Sequence, residues 1–228
     1  MSVSVPRRPL RILCLHGYLQ SAEVFEGKSK QLRKWFGKNN LAELVYLNAP
    51  HVGIPIVNDD KESEDDKSSV EQYGWYTFKL EERAAGKWRG VESGLEYIYD
   101  FMKSEGPFDG VLGFSQGATI AAVICAQQQL KLAPADVPAL KFAIMFSGIK
   151  SFYHTHVPLF SNKIELPSFH AFGQKDTWIT PDLSQELADC FNHPIVHAHP
   201  QGHVVPSKSE AKGLLIKFLE QFHTPVNQ

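Results

Sequence analysis

Short apolar segments and longer, helix-like segments alternate along this chain. Six short segments have the length and apolar content of buried strands: residues 12–15, 44–47, 111–114, 142–146, 169–172 and 195–198. Strands that alternate with helices are joined by crossover connections. The pattern therefore predicts an α/β fold with a mostly parallel sheet and helices on both faces. In such sheets, ligands bind at the carboxyl ends of the strands.

Apolar residues spaced by three or four positions predict helices between these strands. Residues 84–105 contain such a stripe, and Thr180 followed by Pro181 predicts the start of a helix that reaches about residue 191. A terminal amphipathic helix follows the last strand. The apolar positions of the first and last of these helices are Val91, Leu95, Ile98 and Met102, and Leu214, Leu215, Phe218, Leu219 and Phe222.

Length and composition predict a single domain spanning residues 1–228. Hydrophobic residues make up 43% of the chain, the net charge is −2 and the isoelectric point is about 6.5. These values give no support to nucleic acid as a partner. Residues 58–72, NDDKESEDDKSSVEQ, are the one charge-rich segment. We expect a polar insertion loop there, with an acidic docking segment as the alternative.

The first residues, the apolar helix and the cysteines bear on the subcellular location. The first residues, MSVSVPRRPLRILCLHG, lack a small-residue cleavage site, so we expect no secretory signal. The longest apolar helix, around residues 118–126, is much shorter than the roughly 20 residues that span a bilayer, so we expect no integral membrane association. Cys14, Cys125 and Cys190 are odd in number and lack metal-ligand spacing. Buried, reduced thiols are expected, which favours a cytoplasmic location.

The stretch VLGFSQGATIAAV, residues 111–123, places Ser115 between two glycines where a predicted strand meets a predicted helix. Gly113 and Gly117 suggest a very tight turn. In this context the pattern G-x-S-x-G is that of a nucleophile elbow, which exposes the serine hydroxyl at the end of the strand and the start of the helix. A structural turn that holds a serine by accident is the alternative.

A serine hydroxyl is a weak nucleophile, so it needs a general base and an acid that orients the base. In proteins with a nucleophile elbow, the catalytic residues occur along the chain in the order serine, acid, histidine. Asp176 follows the predicted strand 169–172 and is preferred to Asp182, which falls within the next helix. His203 lies on a loop that the residues PQG open after the last strand. A turn aspartate and a surface histidine with structural roles are the alternatives.

Acyl transfer also needs donors for the oxygen that becomes negative in the tetrahedral intermediate, the oxyanion. The amide of Gln116 is one candidate, and the loop after the first strand, LHGYLQS, supplies the other. Tyr18 is the preferred donor there, Leu19 is the near alternative, and a plain strand-end turn is the structural interpretation. His16 is expected to organise this loop rather than to act as the base.

His197 and His199 form an H-x-H pair, a pattern that can bind a metal when alternate strand residues share a face. No further cluster of acidic residues or histidines nearby completes a hydrolytic metal site. We therefore expect strand residues here, and no metal.

Four segments, LCLHGYLQS, GPFDGVLGFSQGA, HAFGQKD and GHVVP, occur in this order and closely resemble the FSH family of serine hydrolases in the α/β-hydrolase superfamily. The similarity covers roughly residues 8–222. It implies a compact α/β-hydrolase fold, with Ser115 as nucleophile, Asp176 as orienting acid and His203 as general base. It also implies hydrolysis of carboxylic esters, in some relatives thioesters, without a cofactor. One departure is Gln201-Gly202 before the histidine, where relatives often have two glycines.

The expected substrate is a small-molecule acyl ester, with medium to long acyl chains, cleaved through a covalent acyl-serine intermediate. An acyl thioesterase, a hydrolase-fold binding protein without turnover and, more distantly, a peptidase are the alternatives. About 20 residues separate the predicted strands 142–146 and 169–172, too few for a large lid domain. Six aromatic residues are candidates either for an apolar acyl pocket or for ordinary packing: Trp75, Tyr76, Phe78, Phe152, Tyr153 and Phe160.

Overall fold

A computed structural model describes residues 8–54, 72–79 and 85–223. The strands, in chain order, are β1 Leu10–Leu15, β2 Ala42–Leu47, β3 His51–Val52, β4 Tyr73–Gly74, β5 Gly110–Phe114, β6 Phe142–Phe146, β7 Ser168–Gly173 and β8 Ile195–His199. Six of them form one parallel sheet in the order β2-β1-β5-β6-β7-β8. The six predicted strands and their parallel arrangement are confirmed. The short antiparallel pair β3-β4 was not predicted.

The helices are α1 Ala22–Lys28, α2 Lys30–Gly37, α3 Val91–Glu105, α4 Gln116–Gln129, α5 Pro181–Ala188 and α6 Ser209–Glu220. Four of them, α3 to α6, correspond to predicted helical segments; α3 and α5 are shorter than predicted, and α4 is longer. Helix α3 begins at Val91 rather than near residue 84, because Gly86 and Gly90 have φ angles of 65° and 75° and break the helix. The predicted terminal amphipathic helix is present as α6, with Leu215, Phe218 and Leu219 buried and Leu214 39% exposed.

Alternate residues of each central strand face two different apolar layers. Leu13 and Leu15 of β1 pack with α3 and α4, whereas Ile12 and Cys14 pack with α1, α2 and α6. Strand β5 divides in the same way, because neighbouring side chains of a strand point to opposite faces. Both faces of the sheet are therefore covered, and the carboxyl ends of its strands remain as the edge where loops can form a site.

The register of the strands determines which of these loops are neighbours. Phe114 of β5 pairs with Phe146 of β6, and Gly173 of β7 pairs with His199 of β8. The loops after β5, β6, β7 and β8 consequently leave the sheet side by side. The loop after β1 lies on the other side of the β5 loop, because Leu15 pairs with Gly113.

Three further observations concern the predictions on thiols, membrane association and the insertion loop. Cys14, Cys125 and Cys190 are buried free thiols, and burial raises the pKa of Cys125 to about 12, so it stays protonated at neutral pH. Within the described ranges, no helix combines the length and apolarity needed to cross a membrane. The predicted insertion loop at 58–72 lies outside the described residues except for Gln72.

Candidate active site

Ser115 occupies a strained turn between β5 and α4. Its φ of 54° and ψ of −116° place a residue with a side chain in a region that normally favours glycine. Such a conformation costs on the order of 1–3 kcal/mol and persists only where the surroundings hold it. Here the amide of Ser115 donates a 2.8 Å hydrogen bond to the carbonyl oxygen of Phe146 in the neighbouring strand. Strain held in this way at the end of a strand is typical of a functional turn.

The two flanking glycines are required by crowding rather than by their φ angles. A methyl group on Gly117 would lie 2.1 Å from the carbonyl oxygen of Leu15 and 2.6 Å from that of His16. A methyl group on Gly113 would lie 2.4 Å from the amide nitrogen of Ala118. The start of α4 therefore packs directly on the end of β1. This contact explains the G-x-S-x-G pattern in physical terms.

Asp176 and His203 are joined by a short hydrogen bond, from His203 Nδ1 to Asp176 Oδ2 at 2.6 Å. The other carboxylate oxygen, Oδ1, accepts hydrogen bonds of 2.9 Å from the amides of Trp178 and Ile179. The Asp176 side chain has no solvent exposure, whereas that of His203 is 19% exposed. Because a carboxylate can only accept, Nδ1 of His203 carries a proton, and Nε2 of the neutral ring is left as an acceptor.

A ring contact places His203 against the residue that precedes Ser115. The imidazole of His203 lies 4.8 Å, between ring centroids, from the ring of Phe114, the residue immediately before Ser115. The backbone carbonyl of Gln201 accepts a 3.0 Å hydrogen bond from the amide of Lys175. That bond ties the histidine loop to the loop that carries Asp176. Asp182, the less favoured acid, is exposed in the first turn of α5.

The loop after β1 offers two candidate oxyanion amides, and one of them is already used. The amide of Leu19 donates a 2.9 Å hydrogen bond to the carbonyl oxygen of Tyr73. The hydroxyl of Tyr18 donates to the carbonyl oxygen of Ile54 and accepts from the amide of Ile54, which fixes the Tyr18 side chain. Leu19 is thus a poor donor for a substrate.

His16 is buried and its tautomer is determined by its partners. Nδ1 donates to the carbonyl oxygen of Gly17 at 2.7 Å, and Nε2 accepts from the amide of Ala49 at 3.0 Å. Burial lowers the pKa of His16 to about 4, so the ring is neutral at pH 7. With both nitrogens occupied by backbone groups, His16 organises the loop and has no free nitrogen for proton transfer.

The sequence did not predict the two hydrogen bonds that the Gln116 side chain makes at the site. The side chain of Gln116, only 6% exposed, bonds to the backbone of the segment that follows β4. Its Oε1 accepts from the amide of Trp75, and its Nε2 donates to the carbonyl oxygen of Tyr76, both at 2.8 Å. A glutamine at the start of an apolar helix is the sequence signal, but it does not indicate which segment the side chain reaches.

The aromatic residues proposed for an acyl pocket lie mostly in the buried core. Trp75, Tyr76, Phe78, Tyr153 and Phe160 are each at most 8% exposed. Tyr76 and Tyr153 stack on Trp88, which lies 4.3 Å from Tyr76 between ring centroids, and Tyr76 also contacts Phe78 at a tilted angle. The structure therefore agrees with the packing interpretation for these five, while Phe152 is 39% exposed.

Apolar surface is found instead beside the Asp176–His203 pair. Trp178, whose amide binds Asp176, is 54% exposed, and Val204, which follows His203, is 40% exposed. His197 and His199 lie 6.2 Å apart between ring centroids. In the part of the chain that is described, no group of three His, Cys, Asp or Glu side chains is placed to hold a metal ion.

Known proteins resemble this chain over nearly its whole length. The family described as serine hydrolase (FSH1) matches residues 3–214. Esterase OVCA2 of Danio rerio is 35% identical over 227 residues, which cover 94% of this chain and 98% of that protein. Esterase C25G4.2 of Caenorhabditis elegans is 36% identical over 214 residues, which cover 93% of this chain and 93% of that protein.

Solved structures share the architecture at lower sequence identity. The crystal structure of esterase PE8 has a TM-score of 0.62 at 20% identity and covers 97% of this chain and 99% of its own. Acyl-protein thioesterase 2 of Zea mays has a TM-score of 0.58 at 16% identity and covers 94% of this chain and 95% of its own. At these identities the likeness concerns the fold alone, and it confirms the predicted α/β-hydrolase fold.

Proposed function

The chain belongs to the serine hydrolase (FSH1) family, and we propose that it hydrolyses carboxylic esters of medium to long acyl chains through a covalent acyl-serine intermediate. The observation that carries the proposal is the 2.6 Å hydrogen bond between His203 and the buried Asp176, at the same sheet edge as the strained Ser115. Membership of a serine hydrolase family, with relatives named as esterases, supports the ester class of substrate.

In the proposed reaction, Nε2 of His203 takes the proton of Ser115 Oγ while Oγ attacks the carbonyl carbon of the ester. The buried Asp176 carboxylate stabilises the imidazolium that forms. His203 then gives its proton to the departing alkoxide, and the acyl group remains on Ser115. A water molecule, deprotonated by His203, attacks this acyl ester and releases the carboxylic acid and the free serine.

We assign the oxyanion to the amides of Tyr18 and Gln116. Gln116 is the first residue of α4, and the first N–H groups of a helix have no partner within the helix. The positive end of the helix dipole lies at the same place and favours a negative oxygen there. Tyr18 is preferred to Leu19 because the Leu19 amide is committed to Tyr73.

The preference for medium to long acyl chains rests on two observations. The first is the family resemblance carried by the four sequence segments. The second is the exposed apolar surface of Trp178 and Val204 beside the proposed acid and base, which a hydrocarbon chain would cover with a gain in free energy. The shortest esters would leave that surface exposed to water.

The direct test measures turnover of p-nitrophenyl esters from acetyl to palmitoyl by the wild-type protein and by Ser115→Ala. We expect a chain-length optimum above acetyl and a fall in kcat on the order of 10⁶ in the variant. Near-normal turnover by a folded Ser115→Ala protein would exclude Ser115 as the nucleophile. A strict preference for acetyl esters would exclude the proposed chain length.

The alternatives separate in the same experiment when two probes are added. Acyl thioesters of matched chain length test the hypothesis that the protein is a thioesterase. This hypothesis predicts faster turnover of the thioester than of the oxygen ester. A fluorophosphonate that labels Ser115 tests for a competent nucleophile. A protein that neither turns over any of these substrates nor reacts with the fluorophosphonate would be a binding protein with a hydrolase fold.

A further inference from the structure

We propose that the side chain of Gln116 is a positioning group, which fixes the two oxyanion amides relative to each other by tying residues 73–76 to the nucleophile turn. The inference rests on the proposed function, because the oxyanion assignment comes from it. It adds a role for a side chain, whereas that assignment uses only the backbone amide of Gln116.

Both polar atoms of the Gln116 side chain are used, and both bind backbone. The acceptor Oε1 takes the amide hydrogen of Trp75, and the donor Nε2 binds the carbonyl oxygen of Tyr76, each at 2.8 Å. A buried amide with both ends satisfied holds a single orientation. The residue next to the nucleophile is therefore clamped to a segment that lies about forty positions earlier in the chain.

The same segment is bound to the loop that carries the other amide. The amide of Leu19 donates to the carbonyl oxygen of Tyr73, and the amide of Tyr73 donates to the carbonyl oxygen of Gln20, both at 2.9 Å. The indole N–H of Trp75 donates to the carbonyl oxygen of His16 at 2.8 Å. Residues 73–76 thus connect the β1 loop on one side with Gln116 on the other.

Helix α3 packs closely against residues 73–76 and limits their movement. A methyl group on Gly94 would lie only 2.1 Å from the carbonyl oxygen of Trp75, so the helix backbone packs directly behind this segment. The segment therefore has a fixed position. Two amides from distant parts of the chain can hold one oxygen only if their separation is fixed, and the Gln116 clamp supplies one of the two attachments that fix it.

The same helix offers a matched control at its other end. Gln128 also uses its side chain to bind two backbone groups, accepting from the amide of Leu140 at 3.0 Å and donating to the carbonyl oxygen of Pro138 at 3.2 Å. It lies twelve positions from Gln116 along α4, which is about 18 Å at the helical rise. Gln116→Met and Gln128→Met each remove two bonds to backbone with little change in volume, but the bonds of Gln128 are more exposed and only those of Gln116 concern the proposed site.

The test measures kcat, KM and the affinity for a trifluoromethyl ketone, which forms a tetrahedral adduct with an active serine and so reports on the oxyanion donors. For Gln116→Met we expect kcat to fall about 10- to 100-fold, KM to stay within about threefold and the ketone affinity to fall in parallel with kcat. Gln128→Met should keep all three within about twofold. Equal changes in the two variants, or an unchanged kcat in Gln116→Met, would overturn the inference.

A second variant keeps the inference testable if Gln116→Met fails to fold. In Gln116→Glu the carboxylate still accepts from Trp75, but its second oxygen faces the carbonyl oxygen of Tyr76. Burial against that carbonyl raises the pKa of the new carboxyl, and its protonated form can donate to Tyr76 again. The ratio of kcat in this variant to kcat in the wild type should therefore rise as the pH falls from about 8 to about 5.5. A ratio that does not change with pH would contradict the positioning role.

Failure of the inference is distinguishable from failure of the proposed function. Serine-dependent turnover by the wild type, together with normal kcat in Gln116→Met, would exclude the clamp and leave the esterase proposal intact. Wild-type turnover that persists in Ser115→Ala would exclude the proposed nucleophile, and the oxyanion assignment and the clamp would be excluded with it.

Discussion

The carbonyl oxygen of Gly202 lies 2.2 Å from the point that a methyl group on Gly173 would occupy. Gly173 ends β7 just before Asp176, and Gly202 immediately precedes His203. The two backbones can approach this closely only because Gly173 lacks a side chain. The contact brings the loop of the proposed base against the loop of the proposed acid, and it therefore determines where the imidazole sits.

We expect Gly173→Ala to displace the 201–203 loop and to lower kcat/KM for a p-nitrophenyl ester by about 100-fold, since a displacement of about 1 Å is enough for a loss of this size. Gly202→Ala should be tolerated, because its methyl group meets nothing closer than the Lys175 carbonyl oxygen at 3.5 Å. Circular dichroism checks that both variants fold. Full activity in Gly173→Ala would show that the contact does not position the base.

A second prediction concerns which ring nitrogen of His203 carries the proton. In Asp176→Asn the amides of Trp178 and Ile179 still require an acceptor, so the amide oxygen takes the place of Oδ1 and the NH₂ group faces His203 Nδ1. The imidazole must then accept at Nδ1 and carry its proton on Nε2, where it cannot remove the serine proton. We expect kcat to fall by about 10⁴, as it does for the corresponding change in other triads.

The control for this change is Asp182→Asn, because Asp182 is exposed in the first turn of α5. Its kcat should stay within about twofold of the wild type. Steady-state kinetics at pH 8 compare the two variants, and thermal unfolding confirms that both are folded. A fall of similar size in both variants would contradict the assignment of Asp176 as the orienting acid.

Elements with a local signal could be predicted from the sequence. The strands of the sheet are short apolar runs, and the turn at Ser115 is marked by Gly113 and Gly117, whose close backbone contacts leave no room for a side chain. The chain order of serine, acid and histidine selected Asp176 and His203, which the structure joins by a hydrogen bond. Helix α2 also has a local signal that sequence reasoning missed: Leu32, Trp35 and Phe36 are spaced by three and one and are buried together.

The remaining parts depend on contacts that no local pattern encodes. Strands β3 and β4 have two residues each, too few for any periodicity to be seen. The partners of the Gln116 side chain lie about forty positions away and are backbone atoms, which every residue has. The burial of Trp75 and Tyr76 could not be distinguished from a role in a pocket, because the same aromatic composition suits both.

Acid should destabilise the protein through its buried histidines. Burial lowers the pKa of His16 and of His156 to about 4, and that of His170 to about 3. Between about pH 6.5 and these values, the unfolded chain binds protons at these residues and the folded protein does not. The free energy of unfolding is therefore highest above about pH 6.5 and falls as the pH is lowered through this window.

His170→Phe should reduce this pH dependence. His170 is buried in β7 and packs against Phe191, with ring centroids 5.0 Å apart. Removing one such group should decrease the slope of unfolding free energy against pH by up to about 1.4 kcal/mol per pH unit between about pH 6 and 4.5. Urea unfolding across this range gives the slope, with the exposed His193→Gln as control. A slope equal to that of the wild type would show that His170 is not a source of the acid sensitivity.

The last prediction concerns the exposed indole of Trp178. Trp178 is 54% exposed, and its backbone amide binds Asp176, so its side chain presents apolar surface next to the proposed acid. Covering about half of a tryptophan side chain contributes about 1–2 kcal/mol, so Trp178→Ala should lower kcat/KM for decanoyl esters about tenfold. Acetyl esters cannot reach as far and should change less than about twofold.

Leu132→Ala is the control for Trp178→Ala. Leu132 is 63% exposed but lies just beyond the end of α4, about 20 Å along the helix from Ser115. Loss of apolar surface there should leave kcat/KM unchanged for every chain length. Measuring kcat/KM across the acyl series for both variants separates a contact with the substrate chain from a general effect on the surface. If Trp178→Ala lowered acetyl and decanoyl turnover equally, the indole would act on the conformation of the loop whose amides bind Asp176 rather than by contacting the acyl chain.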